Sequence, residues 1–114
     1  KTAIPLKIDE AGISSATVIR YKKLYHMWFS VRGSRNFRTD KNQAYKIRHA
    51  TSKDGYNWTR DENHAILPEL EFEQIMCAYP NVIKYQDKLH MFYNGDGFGQ
   101  TGIAYATMEL KNLC

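Results

Sequence analysis

Apolar positions in this chain gather in short runs, and one run occurs twice. Val18–Ser30 reads VIRYKKLYHMWFS, and Val82–Asn94, 64 positions later, reads VIKYQDKLHMFYN. Five of the thirteen positions are identical: Val18/Val82, Ile19/Ile83, Tyr21/Tyr85, His26/His90 and Met27/Met91. Arg20/Lys84, Trp28/Phe92 and Phe29/Tyr93 keep their chemistry. An echo at fixed spacing marks a repeated structural unit.

Each copy predicts a hairpin. Ser15–Tyr21 is the first strand, Lys22–Lys23 a tight polar turn and Leu24–Val31 the second strand. The adjacent β-branched residues Val18 and Ile19 predict a strand buried on both faces, as does the apolar character of both faces of Leu24–Val31. Arg32–Asn42 is a polar loop, and Ala44–Ser52 the third strand. Lys53–Tyr56 is a hairpin turn carrying Asp-Gly, and a short fourth strand starts over Trp58–Arg60. The second unit repeats the order: strand Tyr79–Tyr85, a turn from Gln86, strand Lys88–Tyr93, a glycine-rich loop Asn94–Gln100, and strand Gly102–Thr107. Ile103, Ala106 and Thr107 match Ile47, Ala50 and Thr51 at a spacing of 56, so the second long loop is eight residues shorter. No fourth strand is evident in the second unit, and no segment shows a convincing helical period.

Four-stranded antiparallel meanders in tandem predict an all-β fold made of about two β-propeller blades. The expected divisions of this single propeller-like domain are a linker or edge segment 1–15, a first blade 16–63, a linker 64–78 and a second, incomplete blade 79–114. A lone blade cannot cover its own faces. The chain is therefore expected to be completed by homo-oligomerisation, or by the missing blades of a longer chain. Ala3–Ile8 is expected to pair on an open blade edge, within the chain or across chains.

Composition adds little. Charged residues are 25% and hydrophobic ones 43%, ordinary for a globular protein. The aromatic share of 13% suits strands. A net charge of +4 does not call for a nucleic-acid partner, and no apolar run is long enough to imply a membrane one. Two cysteines form neither a disulfide framework nor a zinc signature. Cys77 is expected to be a buried hydrophobe and Cys114 an exposed thiol. Nothing in the sequence specifies a compartment.

The residues Val18–Ser30, the pair Arg32–Gly33, and Tyr45–Trp58 (YKIRHATSKDGYNW) resemble the repeats of the five-bladed β-propeller glycosidases related to glycoside hydrolase families 43 and 32. Glu73–Tyr85 and Lys88–Gly102 resemble the closing blades of bacterial propeller glycosylases. The resemblance implies carbohydrate as partner, no cofactor, and acidic residues near the innermost strands as the acid/base pair. Glycoside hydrolysis needs two such carboxyl groups facing each other across the sugar. The candidates ahead of each first strand are Asp9, Glu10 and Glu73, with Asp9 and Glu73 equivalent by the repeat. Two departures stand out. Ala78 and Tyr79 occupy the place of the family's Glu-Gly before Pro80, and Ser15–Ala16 replace an Arg-Pro. The plain alternative for these carboxylates is a solvated linker charge.

Arg32, Tyr79, Asn94, Asp96 and Phe98 are the candidate substrate contacts: a ring for a sugar face, polar groups for hydroxyls. Asn94–Gly99 (NGDGFG) lacks the Lys-Ser/Thr of a phosphate loop. The basic loop Arg32, Arg35, Arg38, Lys41 could meet an anionic ligand, or be a solvated loop. Asp54 is expected to satisfy its own turn and Trp58 to pack between blades. His26 and His90 recur at one position, as do His49 and Tyr105, which favours packing over catalysis. No metal site is expected. Three functions fit: an enzyme acting on glycosidic bonds, a non-catalytic glycan-binding module, or a structural assembly repeat.

Overall fold

The computed structural model describes residues 1–34, 43–64, 76–100 and 102–113, without the side chains of Asn63 and Phe98. The strands are β1 (Gly12–Tyr21), β2 (Leu24–Arg32), β3 (Lys46–Ser52), β4 (Thr59–Arg60), β5 (Ala78–Tyr85), β6 (Lys88–Asn94) and β7 (Ile103–Glu109). They form two antiparallel sheets, one in the order β1-β2-β3-β4 and one in the order β5-β6-β7. The fold is all-β and of propeller-blade type, with the second meander one strand short among the described residues.

The repeat extends to backbone register. Val18 pairs with Met27 and Met27 with Ala50; in the second sheet Val82 pairs with Met91 and Met91 with Ala106. Both first strands bulge at the same place, between Ser14 and Thr17 and between Ala78 and Asn81. Ser15 (φ 54°) and Tyr79 (φ 56°) sit inside those bulges, and Lys22 (φ 56°) and Gln86 (φ 55°) open the two hairpin turns. Tight hairpins need a positive φ there to match the strand twist. Four residues without the freedom of glycine thus take the left-handed region, in two pairs 64 positions apart.

The sheets pack face to face. Trp28 and Ile47 of the first sheet, flanked by Ile19 and Tyr21, bury against Val82, Leu89, Met91, Tyr93 and Ala104 of the second. Burying each large side chain of this kind contributes roughly 1.5–3 kcal/mol. The indole N–H of Trp28 donates to the His64 carbonyl at 3.2 Å. On the opposite face of the first sheet, Phe29, Val31 and Ala50 are covered by Ile4, Ile13, Met27 and Trp58. Cys77 is buried and forms no disulfide among the described residues, and Cys114 lies outside them.

Several sequence expectations are corrected. The first strands are not buried on both faces: Val18 is 47% exposed and Ile83 51%. The indole between the sheets is that of Trp28, while Trp58 lies on the far face and donates to the Gly55 carbonyl at 3.1 Å. Ala3–Ile8 forms no strand within the chain. It is pinned by side chains instead: the Pro5 carbonyl accepts from Arg60 at 2.9 Å, and Ile4 packs beside Phe29. β1 starts at Gly12, inside the expected linker. Asp96–Gly99 is one helical turn within the expected loop, too short to leave a period in the sequence.

Candidate functional site

The two sheets run in the same sense. The Thr17 hydroxyl accepts from the Val82 amide at 3.2 Å, and the Arg20 carbonyl from Lys84 at 3.0 Å, so the later part of β5 runs beside the later part of β1 in the same direction. The hairpin turns at 22–23 and 86–87 therefore share one end of the molecule. The described candidate residues collect at the other: Asp9 and Glu10 lead into β1, Arg32 ends β2, Tyr79 opens β5, Asn94 ends β6 and Asp96 follows it. Glu73 lies outside the described residues, as do Arg35, Arg38 and Lys41, and so does the side chain of Phe98.

Asp9, Glu10, Arg32, Gly33, Lys46 and Arg48 border a small cleft of about 40 Å³. Glu10 is fully engaged there. Arg60 grips both its oxygens at 2.7 Å, and the Lys7 amide donates to Oε1 at 2.9 Å. Burial pushes the Glu10 carboxyl up, but the hydrogen bonds from Arg60 and Lys7 and their charges outweigh it, and the net shift is down. A carboxylate held ionised by a bidentate guanidinium is suited to bracing the chain, not to donating a proton. Asp9 is exposed at the cleft edge. Arg48 is engaged by Glu62 at 2.9 Å, and Lys7 reaches the other Glu62 oxygen at 3.2 Å. Gly33 is favoured by closeness. Its amide donates to the Gln43 carbonyl at 2.8 Å, and a Cβ there would collide with the Gln43 side-chain oxygen.

The second group borders the first through Ala44 and Tyr45. The Tyr45 ring lies 5.8 Å from the tilted ring of Tyr79, and the Tyr45 carbonyl accepts from the Cys77 amide at 3.0 Å. Tyr79 owes its position to the bulge. Its left-handed backbone turns its amide to the Ser30 hydroxyl, at 2.8 Å. Bulges of this kind re-aim a side chain at a sheet rim. Asp96 accepts from the Met76 amide at 2.9 Å, which ties the helical turn to the start of the second unit. Gly99, at φ 94°, lets the Asn94 amide approach where a Cβ would stand 3.0 Å away.

Sequence reasoning did not find a third group. His26, His49 and His64 cluster behind Trp28, with the His49 and His64 ring centroids 5.1 Å apart and edge-on. Asp61 Oδ2 stands 3.3 Å from His49 Nδ1, and its amide donates to the His49 carbonyl at 2.9 Å. Burial first, and then the neighbouring His26 and His64, push His49 down to about 4, against Asp61. Recurrence at two repeat positions points to packing, and the contact with Asp61 and His64 comes from segments with no repeat signal. Among the described residues no group of three or more His, Cys, Asp or Glu side chains is arranged to hold a metal ion. Asp54 plays the expected part in its turn. Its Oδ1 accepts from the Tyr56 and Asn57 amides, both at 2.8 Å, and these bonds, the Asn57 amide foremost, hold it well below the usual carboxylate range.

No known family model matches the chain. Two uncharacterized proteins, from two strains of Mycobacterium tuberculosis, are each 33% identical over 104 residues, 89% of this chain and 31% of theirs. The chain thus spans about a third of the length of the curated relatives it matches. Among the solved structures that share its fold are three of larger proteins. One is a glycoside hydrolase, with TM-score 0.63 and 21% identity over 83% of this chain and 26% of that one. A complex of BT0996 with RGII gives TM-score 0.65 and 22% identity over 85% and 27%. Zg3597, a family 117 glycoside hydrolase from the marine bacterium Zobellia galactanivorans, gives 0.66 and 14% over 92% and 37%. The chain therefore has a glycoside hydrolase-like, all-β fold of propeller-blade type, corresponding to a quarter to a third or slightly more of those larger chains.

Proposed function

We propose that this chain is the carbohydrate-facing part of a glycoside hydrolase-like propeller, five-bladed and of the family 43/32 type, and that it binds glycan at the end of the sheets opposite the hairpin turns. One observation carries the reading: the described candidate residues, chosen from linkers and loops spread over most of the sequence, gather at that one end. The Tyr79 ring offers a face for a sugar ring, and Arg32, Asn94 and Asp96 offer donors and acceptors for hydroxyls. Glu10 serves as the brace, with Arg60, that fixes the approach to β1.

Catalysis is the second reading, with Asp9 and Glu73 as the facing carboxylates. Asp9 favours it by standing exposed beside the cationic cleft of Arg32 and Lys46. A glycan array tests the first reading. Binding to at least one oligosaccharide class is expected, with a loss of about tenfold or more in Arg32→Ala and Tyr79→Ala. Binding unchanged in both variants, or no binding at all, contradicts it. Hydrolysis of a captured glycan that disappears in Asp9→Asn while binding persists would move the function to the second reading.

A further inference from the structure

The cleft beside Arg32 gives the proposed glycan end a chemical preference. Arg32 ends β2 opposite Gly12, and Lys46 opens β3 opposite Val31, so both stand on the last rungs of the first sheet at that end. Asp9 and Glu10, on the approach to β1, form the other wall. Two backbone features hold Arg32 in place. Its Nη1 donates to the Gly33 carbonyl at 3.0 Å, and its Nε lies where a Cβ at Gly12 would stand only 3.2 Å away. Arg32 and Lys46 are partly buried, where a charge is screened less than on the open surface.

The cleft is cationic as a whole. Arg32, Lys46 and Arg48 border it against Asp9 and Glu10. Glu10 is ion-paired to Arg60, and Arg48 to a Glu62 that Lys7 also reaches. With those partners included, five cations stand against three carboxylates among the described residues. Residues 35–42, which join Ser34 to Gln43, do not cancel the excess in sequence: Arg35, Arg38 and Lys41 stand against Asp40. Size decides what fits. A water molecule needs roughly 10–15 Å³ of such space, so a cleft of about 40 Å³ admits a group of about three heavy atoms and no sugar ring. A carboxylate is that size, and its two oxygens match the planar fork of a guanidinium. The aromatic group is adjacent: Ala44 borders the cleft and also packs with Tyr45 and Tyr79.

We propose that the glycan bound at this end is acidic: a uronic-acid oligosaccharide whose carboxylate sits between Arg32 and Lys46 while a neighbouring sugar ring lies on Tyr79. The proposal rests on the glycan-binding reading above and adds the substrate class. Arg32 supplies the directional contact and Lys46 a point charge. Asp9, exposed at the cleft edge, repels further anions, which favours a single acid group over a polyanion.

Isothermal titration calorimetry on the full chain tests this. Each acidic oligosaccharide captured on the array, alginate and polygalacturonate fragments included, is titrated beside its carboxyl-reduced form. The acid form is expected to bind at least about tenfold tighter than its neutral twin, as one charge-assisted contact provides. The difference should shrink as sodium chloride is raised. Lys46→Gln and Arg32→Gln, each checked for folding by circular dichroism, should remove most of the preference, whereas Tyr79→Ala should weaken both forms alike. The wild-type comparison needs no variant. Equal affinity for the two forms, or capture of neutral glycans alone, overturns the substrate class and leaves the glycan-binding reading standing. An acid preference that survives both charge variants also overturns it. A chain that captures no glycan of either kind overturns the underlying reading as well.

Discussion

His26 and His49 lie side by side in the wall between the sheets, with Nδ1 of His26 3.1 Å from Nε2 of His49 and ring centroids 5.2 Å apart. One ring must donate and the other accept. The carboxylate of Asp61, 3.3 Å from His49 Nδ1 but outside hydrogen-bond geometry, favours by its charge a proton on Nδ1, with Nε2 then accepting from His26. The equivalent place in the second sheet holds His90 Nδ1 against the Tyr105 hydroxyl at 2.6 Å. The repeat thus preserves a polar cross-strand pair while changing one partner.

This pair makes stability depend on pH. Burial lowers both His26 and His49, the latter from 6.5 to about 4. The unfolded chain therefore binds more protons than the folded one between those values. The stabilisation is fully present above about pH 6.5 and is lost as pH falls to about 4, by on the order of 3 kcal/mol. The lowered carboxyl of Glu10 weakens the fold only below its ordinary value of 4.5, so the two effects separate. Urea denaturation at pH 7.5, 6 and 5 (roughly the histidine window) should show the fall, and His49→Gln should flatten it. An unchanged midpoint across that window would remove the argument.

The Glu10–Arg60 pair is mostly buried, with side chains 9% and 14% exposed. Arg60→Ala leaves the carboxylate without its partner and also releases the Pro5 carbonyl. A loss of about 2–3 kcal/mol is expected in denaturant unfolding. A loss under about 0.5 kcal/mol would show that the pair contributes no more than a surface ion pair.

Lys22 and Gln86 hold positive φ at exposed turn positions. Glycine adopts that conformation without strain. Lys22→Gly and Gln86→Gly are each expected to raise stability by about 0.5–1 kcal/mol, while Lys23→Gly, next in the turn, lowers it. Thermal melts of the three variants compare the positions directly. Equal effects at 22 and 23 would contradict the assigned turn geometry.

A Cβ at Gly33 would overlap the movable end of the Gln43 side chain and stand tightly, at 3.1 Å, against the Gln43 Cα. Gly33→Ala must push Gln43 aside and loosen the loop that bears Arg32. We expect a cost of about 1–3 kcal/mol, together with weaker glycan binding. A neutral substitution would mean that the loop yields without consequence for the cleft.

Much of the fold was legible because repeats write their register twice. The spacings of 64 and 56 located both hairpins and both third strands, and the ladders Val18/Met27 and Val82/Met91 follow them. What escaped was set by distance or by single residues. Glu10 and Arg60 meet across 50 positions, and nothing in either neighbourhood announces it. The bulges at Ser15 and Tyr79 need a left-handed residue, but neither is glycine or asparagine, so no turn chemistry flags them. For the site, the sequence supplied the residues and the topology supplied their common end. The reach of Glu73 toward that end lies outside the described residues.

Hydrogen exchange on the chain, with and without an oligosaccharide captured from an array, tests the central claim most directly. Glycan bound at the proposed end should slow exchange around 9–12, 32–33, 44–46, 78–79 and 94–96, and leave the hairpin turns 21–24 and 85–88 unchanged. Protection confined to those turns would contradict the account.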